Sequence, residues 1–360
     1  MAALTEPNLS GRGKREDLMD MIALVDAKDT PFTSMAKKGS KPGNMYFRWQ
    51  SDSLPTPIVG GTVDGTDVTS GDYTNYVVGY RSELANYAQI FRRTVRVSKL
   101  TQDIADVAGV RDELADNVAK GITGVKRDME VTFTSNQTAQ ADNGSVAYRT
   151  GGIQKWIAAA DSTNSAPVNI TSDATIAVPA NFTSRYNAIS TVNTGGLTDA
   201  VVQGVLKTIF DQTGHYTSFD CIVGTDLKRA FTGLLGTTAL TTVSNATNTL
   251  AAGATKVQTF QRDAAADTYI QSLDVFQGDF GTVRLHPSTF LGTVSGTTWT
   301  PNTFCGLVLD MNLIEVRYGG NVANVTALPD YGGGPARLIE AVAGLVVGNP
   351  LGLGRFAFTS

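Results

Sequence analysis

Residue types able to carry out chemistry are few in this chain, and they are far apart. The two histidines, His215 and His286, have no Cys, His or carboxylate motif beside them. A metal site needs at least three ligands at workable spacing, so both are read as structural. Cys221 and Cys305 lie in apolar stretches (FDCIVG, TFCGLVL) and are expected as buried free thiols, with no CxxC pair present. There is no GxSxG elbow, Walker loop or dinucleotide fingerprint. GRGK (11–14) lacks the upstream glycine and the following Ser/Thr of a phosphate loop, and NPLGLGRF (349–356) reads as a turn. Asp64, Asp67 and Asp72 do not have the spacing of a Ca²⁺ loop and are expected as solvated turn residues. The sequence therefore predicts no enzyme, no cofactor and no metal site.

Composition points the same way. Of 360 residues, 42% are hydrophobic and only 17% are charged, and there are 37 glycines. The mean hydropathy of −0.05 is that of a globular chain. A net charge of −4 argues against tight sequence-independent binding to nucleic acid, which needs a basic surface, but not against a surface that merely faces it. The N-terminus has no apolar signal region, and the apolar run AVAGLVVG (341–348) is too short to span a bilayer.

The elements that would have to position a site are clearer than any site. Residues 1–13 read as a tail. Leu18, Met21, Ile22 and Val25 give helical spacing over 14–26, and Thr30-Pro31-Phe32 opens a short second helix reaching Ala36. Alternating residues over 44–50 and 86–98 predict a long hairpin arm around a Gly/Asp/Thr-rich tip. An arm of that length has no evident core of its own and asks for a partner. Apolar residues then recur every three or four positions from Leu100 through Ile104, Val107, Val110, Leu114, Val118, Ile122, Val125 and Met129 to Phe133. That spacing predicts a short helix and then a long one over 110–135, with Gly109 between them. Further helices are expected at 197–213 and at 225–235, the latter capped by Thr225. Strands are expected at 219–224 and through the C-terminal third. Strand and helix mix without βαβ regularity, so the class is α+β.

Charge offers one candidate interaction site. Arg81, Arg92, Arg93 and Arg96 on the arm have a possible counterpart in the acidic run Asp106, Asp112, Glu113 and Asp116. Solvated charge is the simpler reading. The sharper one is a contact between subunits, which arginine forms well.

Taken in order, these stretches resemble a tailed-phage major capsid protein of the Hong Kong ninety-seven type. The resemblance is carried by Asp26 with Thr30-Pro31-Phe32, by Trp49, and by Asn86-Tyr87-Ala88-Gln89-Ile90-Phe91-Arg92. Lys126-Arg127-Asp128-Met129-Glu130, Gly152 with Trp156-Ile157, Asp279-Phe280-Gly281, Leu309-Asp310 and the stretch from Glu340 to Asn349-Pro350 extend it. It implies an N-terminal arm over 1–40 and an extended loop over 41–98. It also implies a peripheral domain over 99–160 and 315–360 around the spine helix, and an axial domain over 161–314 bearing surface insertions. It implies self-assembly as hexamers and pentamers into an icosahedral virion shell enclosing double-stranded DNA, formed in the host cytoplasm without a membrane. A separate scaffold, a portal and a cement protein are the further partners, since no scaffolding domain is expected ahead of the N-terminal arm. Some relatives crosslink through a lysine of the extended loop, but residues 51–98 contain none, so non-covalent contacts are expected to hold the shell. The residues alone leave a second reading open, a β-rich tail or adhesion module binding a receptor or carbohydrate. The long helix and the lack of repeats weigh against it.

Overall fold

The computed structural model describes residues 26–52, 81–103, 112–157, 187–192, 197–234 and 273–358, with isolated positions between 54 and 67. The helix expected over 14–26, the Gly109 hinge and the polar stretches 161–186 and 236–262 lie outside the described residues, apart from Asp26.

The spine helix, Glu113–Thr134, forms where the three-and-four spacing predicts it. Asp112 starts it, its Oδ1 accepting from the backbone N–H groups of Leu114 (2.9 Å) and Ala115 (3.1 Å). Glu113 and Asp116 add negative charge to the first turn, where the helix dipole favours it. Val125, Met129 and Phe133 are buried along one face. That face packs on a five-stranded sheet whose centre is β14 (Ala336–Val347). Along one edge β14 pairs with β4 (Gln89–Arg96). Along the other it pairs first with β13 (Asn324–Leu328) and then with β12 (Ile314–Tyr318), which β1 (Lys37–Gly39) joins in parallel. Gly121, costly by propensity inside a helix, is required by this approach. A Cβ there would lie 2.3 Å from Ile339 Cδ1 on β14.

A second sheet of six strands runs β5 (Ala188–Val192), β15 (Gly354–Phe358), β11 (Gly306–Leu309), β6 (Thr217–Val223), β8 (Gly281–Pro287) and β7 (Val275–Gly278). Helices Asp199–Thr213 and Thr225–Gly233 cover one face, burying Val202, Leu206, Ile209, Leu227 and Phe231 against Phe219, Cys221 and Phe356. Through its other face, Ile222, Leu307 and Leu309 join the core of the first sheet. Burial pushes the Cys305 thiol up to about 11 and that of Cys221 higher still, so both stay protonated near neutral pH.

Three expectations change. The return strand of the arm is not one element: residues 82–87 (β3) pair with β2 (Tyr46–Ser51), whereas 89–96 lie in the five-stranded sheet. The root of the arm therefore has a core, with Phe47, Leu84, Ala85, Tyr87 and Phe91 all buried. The last strand, β15, lies in the six-stranded sheet and not with the spine helix. The helix over 225–233 starts one residue earlier than expected, with Thr225 already helical and Gly224 at the cap position without a side-chain hydrogen bond; only glycine fits at 224, where a Cβ would lie 2.2 Å from the Thr303 carbonyl oxygen.

Candidate functional site

The root of the hairpin arm is the best-built polar site among the described residues. Strands β2 and β3 pair in antiparallel register from Tyr46↔Tyr87 to Ser51↔Ser82. Asn86 is fully buried there. Its Oδ1 accepts from the N–H groups of Gly151 (2.8 Å) and Tyr87 (2.9 Å), and its Nδ2 donates to the carbonyl of Leu345 (2.7 Å). One side chain thus ties the hairpin to both the 151 loop and β14. Trp49 adds a second tie, its indole N–H donating to the Val347 carbonyl at 2.8 Å while its ring packs 5.4 Å from that of Trp156. The arm leaves this anchored root with apolar side chains in solvent: Leu54 is 90% exposed, Val59 98% and Val63 78%.

The N-terminal helix is held in a related way. Pro31 occupies its first turn, where the missing N–H is no loss. The next two N–H groups, of Phe32 and Thr33, each donate at 2.8 Å to one carboxylate oxygen of the buried Glu130 on the spine helix. Phe32 then packs against Phe133 with ring centroids 6.3 Å apart. Burial raises the Glu130 carboxyl above the ordinary glutamate range, opposed by the backbone N–H groups that favour its charged form.

The charged residues singled out in the sequence are placed as follows. Arg81 pairs with Asp52 (3.4 Å), Arg92 with Glu340 (2.6 Å) and Arg93 with Asp128 (2.7 Å). Arg96 lies against Gly333 in the loop before β14. Asp112 caps the spine helix, the Glu113 carboxylate accepts from Asn117 Nδ2 at 3.3 Å, and Asp116 pairs with Lys120 at 2.6 Å. Asp106 lies outside the described residues. Among the described residues no arginine of this set meets a carboxylate of the acidic run within one chain. The sequence missed Glu130 and Asn86 as organising residues, since their partners lie 98 and 259 positions away. The signal the sequence offers is a polar residue at each of these places in a periodic apolar segment, both within stretches that carry the resemblance.

Among the described residues no group of three or more His, Cys, Asp or Glu is placed to hold a metal ion. No helix of the described residues is long and apolar enough to cross a membrane. His286 Nε2 lies 3.0 Å from Asp220 across adjacent strands. His215 lines a cleft beside Asp52, Leu54 and Tyr216.

Comparison with known proteins gives one consistent answer. The model of the SU10 major capsid protein family matches residues 5–360. The major capsid protein of Escherichia phage Phieco32 is 31% identical over 127 residues, which are 35% of this chain. That match spans 34% of the relative's own length. Among solved structures, the capsid asymmetric unit of cyanophage A-1(L) superposes with a TM-score of 0.60 at 12% identity, covering 98% of both chains. The asymmetric unit of the mature capsid of bacteriophage PhiM1 gives 0.58 at 12% identity, covering 99% of this chain and 97% of that one. At such identities the superpositions establish a shared fold, that of phage capsid proteins.

Proposed function

The chain belongs to the SU10 major capsid protein family, and from that membership we propose that it builds the icosahedral head shell of a tailed phage around double-stranded DNA. The observation that carries this reading is the arm. Its root is locked into the core by Asn86 and Trp49, while Leu54, Val59 and Val63 are left in solvent. Isolated apolar side chains are common on surfaces, but three on one anchored projection need a surface to cover them. Copies of the same chain supply it, grouped as hexamers and pentamers. The role is structural, and no reaction is assigned. Residues 51–98 carry no lysine, so the joints are non-covalent.

The peripheral division comprises the spine helix with the five-stranded sheet, and the axial division the six-stranded sheet. Arg81 and Arg96 of one copy remain candidates to meet Asp112, Glu113 or Asp116 of another. Arg92 and Arg93 would contribute through the exposed sides of their in-chain pairs. The mild net acidity of −4 suits a shell that faces packaged DNA without gripping it. A portal, a scaffold and a cement protein complete the proposed set of partners, with assembly in the host cytoplasm and the virion as destination.

Negative-stain microscopy of the concentrated, purified protein tests the reading. Rings of five or six copies, or closed shells, are the expected outcome. Persistent monomers at every concentration, or fibrous trimers, would sink it.

A further inference from the structure

We propose that Asn143 is a self-modifying site, converted to aspartate or isoaspartate by attack of the Gly144 backbone nitrogen on its side chain. The inference is independent of the shell reading. Asn143 is the only asparagine of the chain that is followed by glycine. Every other one precedes a residue whose side chain crowds the backbone nitrogen or, at Pro350, a nitrogen without a proton. The pair lies in an exposed turn, below which Gln140 and Arg149 exchange two backbone hydrogen bonds of 3.0 Å.

The groups around it are placed for the reaction. The Gly144 N–H donates to the Asp142 carboxylate at 2.7 Å, within the reach a general base needs. The Asn143 Oδ1 accepts from the N–H groups of Ser145 (3.0 Å) and Val146 (2.9 Å). Those two donors polarise the amide carbonyl and meet the oxygen on which negative charge gathers, at oxyanion-hole distances. The leaving nitrogen belongs to an exposed side chain, open to water.

The step balances with water as the only co-reactant. As the Gly144 nitrogen bonds to Asn143 Cγ, its proton passes to Asp142 and the carbonyl electron pair moves onto Oδ1. Collapse of that tetrahedral centre breaks the Cγ–Nδ2 bond, and Asp142 returns the proton so that ammonia leaves. A cyclic succinimide remains. Water then adds to one of its two carbonyls and opens the ring, giving aspartate or, with the chain routed through Cγ, isoaspartate.

Either product places a second carboxylate beside Asp142, and isoaspartate also lengthens the backbone by one methylene. The turn that Asn143 N–H closes on the Val146 carbonyl (3.2 Å) is then lost. The Gln140–Arg149 closure stays, braced by Arg149 donating to the Gly296 carbonyl at 3.1 Å. Each copy thus gains one negative charge at a fixed surface point as it ages.

The test incubates the purified full chain at neutral pH and maps it by peptide mass spectrometry, with fragmentation that separates aspartate from isoaspartate. Conversion is expected at Asn143 ahead of every other asparagine, with isoaspartate among the products. Asp142→Asn keeps an acceptor for the Gly144 N–H but no base, and should slow conversion by about a hundredfold. That gap should narrow as pH rises and hydroxide takes over as the base, a change that a purely structural role for Asp142 would not produce. An Asn143 that stays an amide while other asparagines convert, or an equal rate in Asp142→Asn at neutral pH, would overturn the proposal.

Discussion

Glu130→Ala is expected to release the helix Pro31–Met35 from the spine helix, at a cost of about 3 kcal/mol to that docking. The carboxylate accepts from the Phe32 and Thr33 N–H groups at 2.8 Å each, and hydrogen bonds to a charged group contribute roughly 1.5–3 kcal/mol apiece. Removing the desolvation of the buried charge offsets part of that sum, so the net loss is the smaller figure. Phe32, fully buried against Phe133, goes with the helix. Hydrogen exchange checks this directly, with the amides of residues 32–36 exchanging faster by about a hundredfold while those of Val125 and Met129 stay protected. Glu130→Gln keeps one acceptor and should lose about half as much.

The same residue sets a pH dependence. Because burial raises the folded-state pKa of Glu130 above its unfolded value, the folded chain binds a proton more tightly than the unfolded one. Between the ordinary glutamate value and the raised one, stability therefore falls as pH rises. Denaturant titrations across that window should show this slope in the natural chain and its loss in Glu130→Gln. An identical slope in both would refute the assignment.

The second large effect is expected at Asn86. Asn86→Ala removes the acceptor of Gly151 N–H and Tyr87 N–H and the donor to the Leu345 carbonyl, at a position fully buried from solvent. Buried groups left without partners cost about 1–3 kcal/mol each, so a total of about 3–4 kcal/mol is expected. Urea unfolding should show a lower midpoint with an unchanged slope. Asn86→Asp should do no better, since it keeps the acceptors, loses the donor and adds a buried charge. A shift under about 1 kcal/mol in Asn86→Ala would mean that the arm's root is held by packing alone.

What could be read in the sequence follows from how local each interaction is. The spine helix was legible because its burial repeats every three or four residues, and Val125, Met129 and Phe133 carry that repeat into the core. Strand β14 was legible as an apolar run. The division of the arm at Ala88 was not, because a period of two persists whichever strand is the partner. Nothing local marks the switch from β2 to β14. The partners of Arg92 and Arg93 were equally hidden, lying 248 and 35 positions away. Opposite charges in the helix run were the nearest visible candidates, yet Asp112, Glu113 and Asp116 serve the start of the helix. Proline at the first turn revealed the helix at 31, but its cap comes from a residue 98 positions along.

The central claim, that the anchored arm is the joint between copies, is tested most directly by replacing residues 54–78 with a short Gly/Ser linker. Sedimentation velocity under assembly conditions is the measurement. The account predicts that the shortened chain keeps the melting profile of the parent and sediments as a monomer or small oligomer, while the full chain forms particles of shell size. Shell-size particles from the shortened chain, at the same concentration and yield, would contradict it.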